Sequence, residues 1–186
     1  MARLILASSS PRRKEILEKA NIPFVVMEPD VDETQFAGSD PKSIVMQLAR
    51  KKALSVMGSA DYDDIILGVD TIVYDEGRIL GKPCCKDEAS NMMKSLSNKT
   101  HLVISGVCIL QKNGFEKLFA CETLVEFGRI EDEEINEYVL SDEPYDKAGG
   151  YAIQGLASKF VKSINGCFYN VMGLPLSLVY SVIKRM

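Results

Sequence analysis

A single histidine, His101, stands among 186 residues. Chemistry built on imidazole pairs or a histidine-rich metal centre therefore has almost no material, and His101, beside Thr100 at the start of an apolar run, reads as structural. The five cysteines are odd in number and none lies in a C-x-x-C spacing, which argues against a structural zinc knot. Reduced thiols suit a cytosolic protein. No apolar run approaches the roughly 20 residues of a membrane span. After Arg3 only four apolar residues, Leu4 to Ala7, precede the first serines, too few for the core of a secretory signal. The expectation is a cytoplasmic protein away from membranes. Basic charge is also in short supply: the formal net charge is −4, which disfavours a nucleic-acid partner yet leaves room for a small phosphorylated ligand. Repeats, low-complexity tracts and obvious linkers are absent, and residues 1–186 fit one large domain or two small lobes.

What is present alternates between strand and helix patterns. Residues 3–7 read as a strand and 11–20 as a helix. Phe24 to Met27 is a second strand, and 28–39 form a polar loop. Asp40-Pro41 caps a helix to about Met57. Ile65 to Tyr74 is a strand that turns at Asp75-Glu76-Gly77 and returns along Arg78 to Leu80. Asp87 to Leu96 is a helix. Leu102 to Gln111 and Leu118 to Phe127 are strands joined at Asn113-Gly114. Asp132 to Leu140 is an acidic helix. Phe160 to Ile164 and Phe168 to Val171 read as a hairpin about Asn165-Gly166, and Pro175 opens a final helix. Long antiparallel strands favour a twisted mixed sheet flanked by helices, with a cleft along one face.

The densest chemistry comes first. After the strand, Ser8, Ser9 and Ser10 turn the chain, Ser10 is placed to cap a helix and Pro11 suits its first turn. Helix N-termini attract anions. Arg12 and Arg13 are electrostatically misplaced there unless a polyanion is bound, and guanidinium groups pair with phosphate in a bidentate fork. Residues 8–13 therefore read as a phosphate site.

Further along, charged residues occupy apolar positions. Ile44, Val45, Leu48, Ala49, Ala53 and Val56 define one helix face, and Lys52 falls within it while Lys51 does not. Such a lysine either snorkels to solvent or meets an anion. Asp70 interrupts Ile65-Ile66-Leu67-Gly68-Val69-Asp70-Thr71-Ile72-Val73. A carboxylate there is either salt-bridged to a lysine or serves as metal ligand or general base. Lys82, in Leu80-Gly81-Lys82-Pro83, follows the return strand. Glu33 sits in the polar loop, where acidic residues are commonly solvated. Together these groups offer hard oxygen ligands for Mg²⁺ or Mn²⁺ and cations for phosphate. The segment Asp146 to Gly155 brings paired glycines, which permit close backbone approach, and Gln154, an amide suited to the edge of a base. It matches neither a P-loop nor a dinucleotide fingerprint.

In order along nearly the whole chain, several stretches resemble the Maf family of nucleotide pyrophosphatases. They are Ala7-Ser8-Ser9-Ser10-Pro11-Arg12-Arg13, Val31-Asp32-Glu33, Ala49-Arg50-Lys51-Lys52-Ala53, Gly68-Val69-Asp70-Thr71-Ile72-Val73, Gly81-Lys82-Pro83, Ser141-Asp142-Glu143-Pro144, Asp146-Lys147-Ala148-Gly149, Ile153-Gln154-Gly155 and Asn165-Gly166 with Val171-Met172-Gly173-Leu174-Pro175. The resemblance implies a single Maf-like domain: an elongated mixed α/β sheet, akin to the ITPase fold, with two lobes around a substrate cleft. It implies hydrolysis of a nucleoside triphosphate to monophosphate and pyrophosphate with a divalent cation (Mg, Mn or Co), a house-cleaning role in the nucleotide pool, and a homodimer.

By position, the resemblance makes Asp70 the general base and, with Glu33, metal-linked. It makes Ser8, Ser10, Arg12, Arg13, Lys52 and Lys82 phosphate contacts, and ties Arg13, Thr71 and Gln154 to substrate choice. Ser-Pro-Arg-Arg, Asp-Thr and Ile-Gln-Gly are similar to the branch that prefers dTTP and UTP. The branch acting on 7-methyl-GTP carries Trp after the proline, Gln after the aspartate and Ser-Glu-Gly, and this chain departs from it at all three places. Two rival readings are a nucleotidyltransferase and a non-catalytic nucleotide-binding regulator of cell division or septum formation.

Overall fold

The structure is a computed structural model that describes residues 3–32 and 40–186. Its strands are β1 (Leu4–Ala7), β2 (Val25–Met27), β3 (Ile65–Asp75), β4 (Arg78–Leu80), β5 (Thr100–Leu110), β6 (Glu116–Phe127) and β7 (Val161–Asn165). Its α-helices are α1 (Pro11–Lys19), α2 (Pro41–Val56), α3 (Lys86–Leu96), α4 (Asp132–Tyr138), α5 (Phe168–Val171) and α6 (Leu176–Ile183). The strands form one seven-stranded sheet in the order β2-β1-β3-β5-β6-β7, with β4 paired to β3. β1 runs parallel to β2 and β3, whereas β3–β4 and β6–β7 are antiparallel. The sheet is thus mixed and flanked by helices, as the alternating pattern implies.

Two compact units divide the chain. The first comprises residues 1–71, 105–121 and 173–186, and the second 72–104 and 122–172. In the first, α2 lies very close to the sheet, and two glycines make that approach possible. A Cβ on Gly68 would stand 2.1 Å from the Ala49 carbonyl oxygen and 2.8 Å from the Ala53 nitrogen. A Cβ on Gly106 would meet the Val45 carbonyl at 2.2 Å. Ala49 and Ala53 are fully buried, with Ile5, Ile66 and Cys108 around them. The helix begins as its sequence suggests: Pro41 occupies the first turn, and the Asp40 carboxylate accepts from the Ser43 amide at 3.1 Å.

In the second unit, α3, α4, β5, β6 and the 151–160 segment enclose a core of Met93, Leu96, Phe127, Ile135, Tyr138, Tyr151 and Phe160. His101 belongs to this core. It is 2% exposed, its Nε2 lies 2.7 Å from the Tyr151 hydroxyl, and its ring meets Phe127 and Tyr151 edge-on. The structural role expected of it holds. The β3–β4 turn has Glu76 at φ 44° and Gly77 at φ 86°, the two successive positive values of a type I′ hairpin. At Asn113-Gly114 only Gly114 is left-handed. The turn bond runs from the Gly114 amide to Gln111 at 3.2 Å, as in a three-residue hairpin loop.

One expectation fails. Phe168 to Val171 is the short helix α5, not the second arm of a hairpin. β7 pairs instead with β6, matching Leu124 to Asn165 and Val125 to Ile164. Gly166, at φ 134°, turns the chain away, and the Thr123 hydroxyl accepts from the Cys167 amide at 3.1 Å. Asn170, fully buried, donates from Nδ2 to the Val103 carbonyl and the Thr123 hydroxyl. Its amide nitrogen thereby anchors α5 to the core. The polar loop 28–39 lacks regular structure over 28–32, and its remainder lies outside the described residues.

Burial pushes the His101 imidazole down to about 4, against about 6.5 for an unfolded histidine. Between these values the unfolded chain takes up a proton that the folded chain refuses. Stability from this group is complete above about pH 6.5 and declines as pH falls toward 4. Urea denaturation across that window should show the decline, and His101→Gln should flatten it relative to wild type. Identical slopes in both proteins would remove His101 as its source.

Candidate active site

The serine turn follows β1 into α1 with Pro11 at the first helical position. Ser10 occupies the cap position with extended backbone, but its side chain makes no capping bond. Ser8 does the local work instead. It is 2% exposed, and its hydroxyl accepts from the Ser10 amide at 3.1 Å and from Arg13 Nη1 at 3.1 Å.

Arg13 is drawn inward rather than solvated. Its Nε donates to the Gly173 carbonyl at 2.8 Å and its Nη2 to the Thr71 hydroxyl at 3.2 Å. Gly173 sits at φ 106°, a left-handed conformation that glycine adopts without steric penalty. Thr71 in turn shares a 2.8 Å hydrogen bond with the fully buried Ser105. Arg13 and Thr71, both tied by resemblance to substrate choice, are therefore one network, braced by Gly173 and Ser105. Arg12 and Ser10 are half-buried beside them in sequence.

One residue before Thr71, Asp70 meets Lys52. Both are 7% exposed, and Nζ lies 2.6 Å from Oδ1. Gly68 and Asp70 are two residues apart in β3 and so lie on the same side of the strand. The face that admits Ala49 and Ala53 of α2 at Gly68 also presents the carboxylate to Lys52, three residues after Ala49. Lys52 therefore does not snorkel to solvent, and its ammonium meets the Asp70 carboxylate. Each charged group thus meets an opposite charge where burial alone would be costly. Lys51 is exposed, as its wheel position requires. Glu33 lies outside the described residues.

The second unit carries Lys82 and Gln154, both exposed. The Gly81 carbonyl before Lys82 accepts from the Gly149 amide at 2.9 Å. Gly149 has φ 71°, and a Cβ there would stand 2.8 Å from the Val73 side chain. The loop bearing Gln154 is held by Glu143. One carboxylate oxygen accepts from the Leu156 amide at 2.6 Å, the other from the Ala157 amide at 3.1 Å and the Tyr138 hydroxyl at 3.0 Å. Gly155 leaves room for that carboxylate, since a Cβ would come within 2.0 Å of it. Lys147 donates to the Glu143 carbonyl at 3.0 Å and pairs with Asp146.

Glu143, Ser105 and Gly173 are thus supports that reading of local chemistry did not single out. Ser105 offers a signal, a hydroxyl within Val103-Ile104-Ser105-Gly106-Val107. Glu143 and Gly173 offer only their places within quoted motifs.

Comparison with known proteins matches residues 3–186 to the family model described as Maf-like protein. A dTTP/UTP pyrophosphatase of Bacillus cereus is 48% identical over 185 residues, covering 100% of this chain and 96% of that protein. A dTTP/UTP pyrophosphatase of Bacillus anthracis is 49% identical with the same coverage. Among solved structures, a HAM1 protein from Coxiella burnetii superposes with a TM-score of 0.45 at 16% identity, over 70% of this chain and 75% of that one.

Removing one member of a buried ion pair leaves an uncompensated charge and costs about 3–5 kcal/mol. Lys52→Met should lower stability by about that amount in urea denaturation at neutral pH with chelator present. The double variant Lys52→Met/Asp70→Val should recover most of it, because replacing both partners by apolar groups is near neutral. A small single-variant effect would show that solvent already screens the pair.

Proposed function

Because the chain belongs to the Maf family, we propose that it hydrolyses nucleoside triphosphates, dTTP and UTP foremost, to the monophosphate and pyrophosphate. The observation that carries this reading is the near-half identity, end to end, with proteins named dTTP/UTP pyrophosphatases. The Lys52–Asp70 pair supplies the chemical rationale.

In this mechanism a water oxygen attacks the α-phosphorus in line. The new P–O bond forms as the bond to the bridging oxygen breaks, and pyrophosphate leaves with that electron pair. Asp70 accepts the water proton, and Lys52, 2.6 Å from its Oδ1, fixes the direction of the carboxylate. Lys52, Arg12 and Lys82 are assigned to charge on the phosphates, with Ser8 and Ser10 in the turn before α1. Arg13 serves as a brace that fixes Thr71 and the serine turn. Its guanidinium donates to Ser8, Thr71 and Gly173. Gln154 reads the base through its amide.

The proposal includes a divalent cation, Mg²⁺, Mn²⁺ or Co²⁺. Asp70 fits such a hard cation by donor type and would hold it, with Glu33 as the second acid implied by resemblance. When bound, the cation neutralises charge on the phosphate oxygens. The reading also includes a homodimer in the cytoplasm without a nucleic-acid partner. The net charge of −4 supports the last point. Among the described residues, no helix is long and apolar enough to cross a membrane.

Product analysis tests the reaction. With Mn²⁺ or Mg²⁺, dTTP and UTP should each give monophosphate and pyrophosphate, ahead of CTP, ATP, GTP and 7-methyl-GTP. Free phosphate with a diphosphate product would refute cleavage at the α-phosphorus, and binding without turnover would make the chain a nucleotide sensor. Asp70→Asn keeps an oxygen acceptor for Lys52 and should lower kcat by about 10²–10⁴-fold, the usual contribution of a positioned base, when assayed where circular dichroism shows the variant folded. Gln154→Ala removes hydrogen bonds to the base and should lower kcat/KM for dTTP about tenfold, the equivalent of about 1.4 kcal/mol. Equal turnover by wild type and Gln154→Ala would show that the base is read elsewhere.

A further inference from the structure

Cys84, Cys85 and Glu88 form a group that the proposed reaction does not use. Their ligand atoms, two sulfurs and a carboxylate oxygen, all lie within 4.8 Å of one another. Among the described residues this is the one place where three such ligands converge. Local structure explains the convergence. Cys85 is the cap residue of α3 with extended backbone, φ −153° and ψ 170°. Glu88 lies in the first helical turn and folds back, so that its Oε2 accepts from the Cys84 amide at 2.7 Å. The carboxylate is thereby aimed at the paired thiols. Both cysteines are exposed and Glu88 is half-buried, so an ion can reach the group from solvent. The spacing i, i+1, i+4 escapes a search for C-x-x-C.

We propose that Cys84, Cys85 and Glu88 bind a thiophilic divalent cation, Zn²⁺ or Cd²⁺, in a three-ligand site with a fourth position for water. Zinc–sulfur and zinc–oxygen bonds of about 2.3 and 2.0 Å set tetrahedral ligand atoms roughly 3.5–3.8 Å apart, within reach of small side-chain rotations here. Two thiolates and a carboxylate carry three negative charges, and a divalent cation cancels two. Metal binding displaces the thiol protons to solvent. The donor set is soft, unlike the carboxylate oxygens invoked for catalysis, and selects a different class of ion. The proposal stands independently of the proposed reaction.

Cobalt(II) titration of the full, reduced chain tests it, since Co²⁺ reports thiolate ligation by an intense near-ultraviolet charge-transfer band that oxygen ligands do not give. One equivalent should saturate the band, and Zn²⁺ should displace it. Cys84→Ser and Cys85→Ser should each abolish the band, and Glu88→Gln should weaken binding at least tenfold. Cys121→Ser and Cys167→Ser should leave it intact. Absence of the band, or its persistence in both Cys84→Ser and Cys85→Ser, would overturn the site. Cadmium NMR gives a second readout: a shift indicating two sulfur ligands supports the site, and one indicating oxygen ligands alone refutes it.

Discussion

The close seating of α2 on the sheet governs the first unit. Gly68 and Gly106 remove the two side chains that would hold the helix away, and Ala49, Ala53 and Val45 take the space. Apolar burial drives that contact. Its chemical result is polar, because the same seating brings Lys52 to 2.6 Å from Asp70. Two ionised groups that would each be costly in the interior are tolerable as a pair. A larger residue at position 68 would move the helix and so act on the carboxylate without touching it.

The serine turn depends on a second, more local constraint. Arg13 reaches from α1 to Ser8, Thr71 and the Gly173 carbonyl, joining three stretches that are distant in sequence. A guanidinium suits this task because its donors are planar and fixed in direction. A lysine would offer one point of attachment in place of a fork. The extra rigidity falls on Thr71, next to the ion-paired Asp70, so the network and the pair share one strand.

Most elements were legible in the sequence because their signals are local. Proline and aspartate mark the start of α2, a glycine marks each hairpin, and apolar periodicity marks the strands. Phe168 to Val171 misled because four residues after Asn-Gly resemble a hairpin arm. Phe168 and Val171 are in fact spaced by three, the period of a helix, and the deciding contact is the burial of Asn170 against Val103 and Thr123. In the candidate site, Lys52 and Asp70 each stood out as charges in apolar company. That each is the other's partner is a tertiary fact, and the glycine two positions before Asp70 was its only local trace. The roles read for Lys82 and Gln154 rested on side-chain chemistry and on the resemblance, and their own surroundings, an exposed turn and an exposed loop, add nothing to them. Glu143 escaped because an acid in a polar stretch looks solvated until the amides it holds are seen.

That anchoring by Glu143 separates two properties usually entangled in a loop. The path of the backbone around Gln154 is set by a carboxylate lodged against the amides of Leu156 and Ala157 and by the missing side chain at Gly155. Residue 154 itself contributes an exposed side chain. Its chemistry can therefore change by a single substitution while the loop keeps its course, and a scaffold of this kind can diversify what it recognises over evolutionary time without refolding the segment that does the recognising.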